Sequence, residues 1–292
     1  MLSRLTAHQA GVLAIVLTAI VWSTGGLFIK LLPFDPFTIL FYRSVCAASL
    51  FAVLFRRKVF RLNGNTLLVS IFYALLMISF VVSTKLTTAA NSIFLQYTAP
   101  IYVLLLEPVL FKIPLERINI WTIAVCILGM LLFFLGDLEM GNMTGNWIAL
   151  GSGVLLAGML LAQRRNAPER HESSIFWGNI FVIIVGFPSY AASAPPTPEQ
   201  WAMLLFLGFI QIGVGFVLFT YGLKRVLAIE GSLLAMLEPI LNPVWVFFGY
   251  GEVPSQGAIT GGVLIILMLA VRAVIVERKR RKNLKLMRKA IQ

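Results

Sequence analysis

Glu238 and Asn242 stand four residues apart in the run LEPILNPVWVFF (237–248), with Pro239 and Pro243 beside them. On a helix that spacing puts both polar side chains on one face, together with Gly231 and Ala235. A carboxylate at the centre of a membrane helix costs about 2.5–3.5 kcal/mol or more. Each proline removes a backbone donor. A chain keeps such groups in an apolar run where they face a cavity instead of lipid. A single carboxylate so placed can bind an ammonium group of a solute or carry a proton. The structural alternatives are a hydrogen bond or an ion pair with Arg43.

Other polar and aromatic side chains sit in similarly apolar surroundings. Trp22 leads Ser23 and Thr24, and Tyr73, Met77 and Phe80 follow one helical line. Asn91, Gln96, Tyr97 and Thr98 form another group, and Gln211 lies between Gly208 and Gly215. Trp22, Tyr73, Met77, Gln96, Tyr97, Gln211, Glu238 and Asn242 are therefore the expected solute-binding residues, because an aromatic-and-amide lining suits an amphipathic organic molecule. The competing reading is that the aromatics pack or mark the membrane interface. Arg43 either pairs with a carboxylate or binds an acid group of a solute. Glu107 is expected to snorkel toward Lys112 or Arg117. Asn179 and Gln163 are weaker candidates.

No catalytic constellation is visible: there is no paired Asp and no histidine in an apolar run. The two histidines, His8 and His171, lack metal-ligand spacing. Cys46 and Cys126 read as buried thiols. GSGVLLAG (151–158) has neither a preceding strand nor a following Lys-Ser/Thr, so it reads as a small-residue helix face. No cofactor, metal or ATP chemistry is expected of this chain, and it is not expected to be an enzyme.

The elements that carry these residues follow from composition. Of 292 residues, 59% are hydrophobic and 12% charged, with mean hydropathy +0.89. A soluble domain carries about 25% charged residues. Ten runs reach the length of about 20 residues that a span needs: 11–31, 37–55, 66–84, 89–110, 118–136, 146–163, 174–192, 200–221, 230–249 and 257–276. The start reads as a retained first span, since no small-residue cleavage site follows it. With the amino terminus cytoplasmic, 21 of the 24 lysines and arginines fall on the cytoplasmic side. Lys30 and Lys85 fall outside and Arg43 within a span, which is the positive-inside bias. The net charge of +12 is thus a topology device, and nucleic acid is not an expected partner. The basic tail ERKRRKNLKLMRKAIQ (277–292) is expected to bind anionic inner-leaflet lipid, or else a regulatory partner.

Sliding the chain on itself by 139 positions aligns 67–101 with 206–240. Lys85 then meets Lys224, Ala89 meets Ala228 and Pro100 meets Pro239, while Pro114 and Pro254 pair after a one-residue gap. The expected organisation is a five-helix unit over 1–140, a second unit over 141–276, and the tail. Five spans per unit turn the second upside down. The fold class is all-α, with ten transmembrane helices as two inverted repeats around a central cavity. Inverted repeats with interrupted midplane helices favour alternating access by a secondary transporter. In span nine the polar pair has only Ala99 and Val103 as repeat partners. Gly257 and Gly261 open the last span and permit close helix approach, either within the chain or in a homodimer, so a monomer and a homodimer both stay open. Asn142-Met143-Thr144 fits a sequon by chance.

This organisation resembles the drug/metabolite transporter superfamily, EamA type. Trp22 and Lys30 bracket the end of the first span, and DPFTILFYR (35–43) resembles the proline-then-arginine pattern of the second. Pro100 and Pro239 match the prolines of spans four and nine. EVPSQGAITGG (252–262) resembles the loop into the tenth, whereas the first half has Lys112 in the place of Glu252. The resemblance implies a transporter of a small organic solute in the bacterial inner membrane, with both termini cytoplasmic. Export of amphipathic metabolites such as amino acids is the favoured reading. The alternatives are a drug, cation or nucleotide-sugar transporter, or a membrane receptor or scaffold that transports nothing.

Overall fold

The computed structural model describes residues 6–112, 117–137, 143–226, 231 and 234–291. Pro114, Asn142 and Ala228, singled out above, lie outside the described residues. The described residues form helices and no strand. Each of the ten expected spans contains helix. Eight stretches are long and apolar enough to cross a membrane: Ala7–Leu31, Pro36–Phe60, Gly64–Leu86, Ala89–Phe111, Met143–Arg164, His171–Ala192, Pro198–Leu223 and Gln256–Val276. The fifth expected span is α7 (Arg117–Asp137), and the ninth contains α12 (Leu237–Tyr250). The chain is an all-α integral membrane protein.

Helix starts follow local chemistry. Thr6 and Gln9 form a capping box at α1 (Ala7–Ser23), and Thr197 and Gln200 form another at α10 (Pro198–Leu205). Asp35 caps α3 (Pro36–Phe55), whose first residue is the proline that costs least there. Asn63 caps α4 (Gly64–Leu86), and Thr88 caps α5 (Ala89–Gln96). Three spans are interrupted. The first breaks at Thr24 before α2 (Gly25–Leu31), and the fourth at Tyr97–Thr98 before α6 (Ala99–Phe111). The ninth turns at Met236 before α12. The eighth is continuous but passes through a π-helical stretch, Phe206–Val214, before α11 (Gly215–Leu223). The remaining α-helices are α8 (Met143–Arg164), α9 (His171–Ala192) and α13 (Gln256–Ile291).

The main helix pairings cross between the two halves of the chain. The first span packs on the eighth and ninth, and the sixth on the third and fourth. The second meets the seventh and eighth, and the seventh also meets the third. The fifth meets the tenth, and the fourth meets the ninth. Exchanging each span with the one five places away maps this set of pairings onto itself.

The helices approach through small residues, as expected where lipid offers no hydrophobic drive between them. A Cβ on Gly208 would lie 2.7 Å from the Arg43 carbonyl oxygen, and one on Gly145 would lie 2.8 Å from the Thr87 nitrogen. Tyr73, Ile93, Leu95 and Leu207 are fully buried, while Val53, Val109 and Phe248 are largely exposed on the outside.

Candidate solute site

The carboxylate and the prolines of the ninth span find their explanation at the helix breaks. Pro100 is the second residue of α6 and Pro239 the third of α12. Backbone N–H groups in the first turn of a helix have no intrahelical acceptor, so a proline there sacrifices nothing. Pro243 alone remains inside α12. The two breaks face one another. The Tyr97 hydroxyl donates to Glu238 Oε2 at 3.0 Å and lies 3.3 Å from the Ala235 carbonyl oxygen. Tyr97, Pro100, Phe219, Gly231, Ala235 and Leu269 line a cavity of about 300 Å³ beside this pair. Tyr97 and Glu238 are both partly exposed.

A second polar group gathers around Arg43, which is 2% exposed. Its Nη2 donates to Gln211 Oε1 at 3.2 Å and lies 4.0 Å from the Met77 sulfur. Gln211 comes from the π-helical stretch, where each turn holds an extra residue and re-aims the side chain. Its Nε2 donates to the Trp22 carbonyl at 3.3 Å. The Trp22 ring lies 5.1 Å from both Phe216 and Phe219, and Phe219 also lines the cavity. The Tyr73 hydroxyl accepts from Asn179 Nδ2 at 3.2 Å. Five expected residues or partners therefore meet here: Trp22, Arg43, Tyr73, Met77 and Gln211.

The ion pair weighed between Glu238 and Arg43 does not form. Glu238 bonds to Tyr97 and Arg43 to Gln211, because α3 packs on the eighth span while α12 packs on the first and fourth. Gln96 points elsewhere, its Oε1 3.5 Å from the Ser152 hydroxyl. Asn242 is 1% exposed and lies against Gly26, where a Cβ would stand 2.6 Å from Asn242 Oδ1. Neither side-chain polar atom of Asn242 has a partner. Glu107 pairs with Arg164, not with Lys112 or Arg117, because the end of α8 lies against α6. Phe216 and Phe219 were missed: phenylalanine occurs 22 times in the chain, so no single one stands out.

At the end of the bundle that the charge pattern would place outside, a cluster of contacts ties α2, α5 and the loop after α12 together. Lys30 Nζ stands 2.8 Å from Glu252 Oε2 and donates to the Thr87 carbonyl at 2.6 Å. The other carboxylate oxygen of Glu252 accepts the backbone N–H of Ala89 at 2.5 Å. Lys85 caps the Leu32 carbonyl nearby. Lys30 and Glu252 side chains are only 12% and 13% exposed. In the sequence these two residues were only family markers. Their pairing needed the loop after α12 to fold back over α2 and α5.

Comparison with known proteins agrees with this architecture. The family model described as EamA-like transporter family matches residues 9–135 and again 143–272. The chain belongs to the EamA-like transporter family. This EamA-like chain is a membrane transporter and not an enzyme. It is 25% identical over 261 residues to an uncharacterized transporter of Archaeoglobus fulgidus, covering 88% of this chain and 93% of that one. It is 24% identical over 270 residues to the pseudopaline exporter CntI of Pseudomonas aeruginosa, covering 89% of this chain and 94% of that one. A solved crystal structure aligns over 92% of this chain and 98% of its own length, with a TM-score of 0.65 at 17% identity, a likeness of fold.

Proposed function

We propose that this transporter exports small amphipathic organic solutes of the amino-acid class by alternating access, with Glu238 and Tyr97 as its central solute- or proton-binding pair. The observation that carries this reading is the Tyr97–Glu238 hydrogen bond beside a cavity between two broken helices. A carboxylate there answers an ammonium group or a coupling proton. The units 1–140 and 141–276 are read as inverted repeats. Two consecutive family matches and the exchange-symmetric helix pairing support this. The cavity is lined by Leu223 and Gly231, next to the loop that the positive-inside bias makes cytoplasmic, while Lys30 and Glu252 close the opposite end. That combination fits an inward-facing state in the bacterial inner membrane with both termini cytoplasmic. Export is favoured by the relative named as an exporter.

The test is solute flux into and out of proteoliposomes across an amino-acid panel, with and without a proton gradient. Glu238→Gln is expected to abolish the pH dependence of flux or the flux itself. Full-rate transport by that variant with an unchanged pH profile would falsify the role given to Glu238.

A further inference from the structure

We propose that Arg43 receives the carboxylate of the carried solute, an inference that rests on the transporter reading above and narrows its substrate class. Arg43 is almost completely buried, yet Nε and Nη1 have no hydrogen-bond partner. An arginine whose role is only to hold helices together fills its donors with carbonyl oxygens or a carboxylate. Here the groups nearest the guanidinium are neutral: the Gln211 amide, the Met77 thioether and the Tyr73 phenol. No carboxylate of a described residue forms an ion pair with it. A buried cation without an anion is costly in a low-dielectric interior, and the cost is relieved when a ligand brings the anion.

The placement suits a ligand that arrives through the cavity. Gln211 ties Arg43 to the Trp22 carbonyl, and the Trp22 ring rests on Phe219, which lines the cavity. This chain of contacts joins the guanidinium to the cavity. One positive charge among neutral neighbours balances one negative charge. A monovalent carboxylate meets that condition and a phosphate dianion does not.

The experiment uses the full-length protein, purified and reconstituted, with a panel of amino acids, their amides, their decarboxylated amines and their aminophosphonate analogues. Binding is read by thermal shift and transport by flux. The acids are expected to bind about tenfold more tightly than their amides, the difference of one hydrogen bond to a charged group. Arg43→Gln is expected to erase that preference, and Arg43→Lys to keep part of it. The acid-over-amide contrast is read on the unaltered protein, so it does not depend on either variant folding. Equal binding of acids and amides overturns the carboxylate site, as does an unchanged preference in a folded Arg43→Gln. Preference for the phosphonates overturns the choice of carboxylate. Flux of amides or amines without any acid preference leaves the transporter reading standing, whereas no flux of any panel member sinks both.

Discussion

The hydroxyl of Tyr97, at the break in the fourth span, donates a 3.0 Å hydrogen bond to Glu238, the second residue of α12. These residues are 141 apart in sequence. They join the interrupted fourth span to the interrupted ninth, so a motion that draws these two breaks apart must break this bond.

Tyr97→Phe removes the donor and leaves the ring. A hydrogen bond to a charged group contributes about 1.5–3 kcal/mol. If the pair holds the solute-bound state, the solute concentration for half-maximal flux rises roughly tenfold or more. Initial-rate flux in proteoliposomes measures it, and an unchanged value would mean that the bond is only a structural tie.

Glu252 is expected to hold the outer end closed. Glu252→Ala removes both the ion pair to Lys30 and the acceptor for the Ala89 amide. The two contacts together are worth about 1–3 kcal/mol in this partly buried setting. Hydrogen exchange at Ala89 should then speed up about tenfold or more, as read by mass spectrometry of the peptide spanning 86–92. Unaltered exchange would show that the closure is held elsewhere.

Two glycine substitutions should separate packing from helix propensity. A Cβ at Gly208 meets the Cys46 Cβ and the backbone of Arg43, neither of which can yield. Gly208→Ala should therefore destabilise by about 1–3 kcal/mol. Gly151 lies inside α8, and a methyl group added there would have nothing within 4 Å. Gly151→Ala should be neutral or stabilising by up to about 1 kcal/mol. Thermal unfolding in detergent compares the two, and a Gly208→Ala protein as stable as the parent contradicts the close contact.

The basic tail is expected to bind anionic membranes. Residues 277–292 hold eight lysines and arginines, and α13 continues as helix to Ile291. Each basic residue near an anionic surface contributes about 1 kcal/mol, screened by salt. A peptide of this segment should bind phosphatidylglycerol vesicles and leave them as salt rises, while ignoring neutral vesicles. Salt-independent binding would point to its apolar residues instead.

Span positions and the prolines that mark two of the helix breaks were legible in the sequence because each depends on local chemistry. A run of apolar residues has to satisfy its backbone as helix in lipid. Threonine, asparagine and aspartate caps mark where helices begin, as at Thr6, Asp35 and Asn63. Pro100 and Pro239 announced breaks because they lack an N–H. The aromatic and amide candidates were also recognisable as misfits in an oily run. Which candidates touch was decided only by the tertiary structure. The sequence left an ion pair between Arg43 and Glu238 open as an alternative, and the packing of α3 on the eighth span gave Arg43 a different partner in Gln211. It sent Glu107 toward nearby basic residues, and the packing of α8 on α6 gave it Arg164. It left Lys30 and Glu252 unconnected, though the long chain between them folds to bring them within 2.8 Å. Periodicity and turn chemistry act over a few residues, so they set each helix. Contacts between helices depend on which small residues admit a neighbour's backbone, and that is settled only when all the helices are packed together.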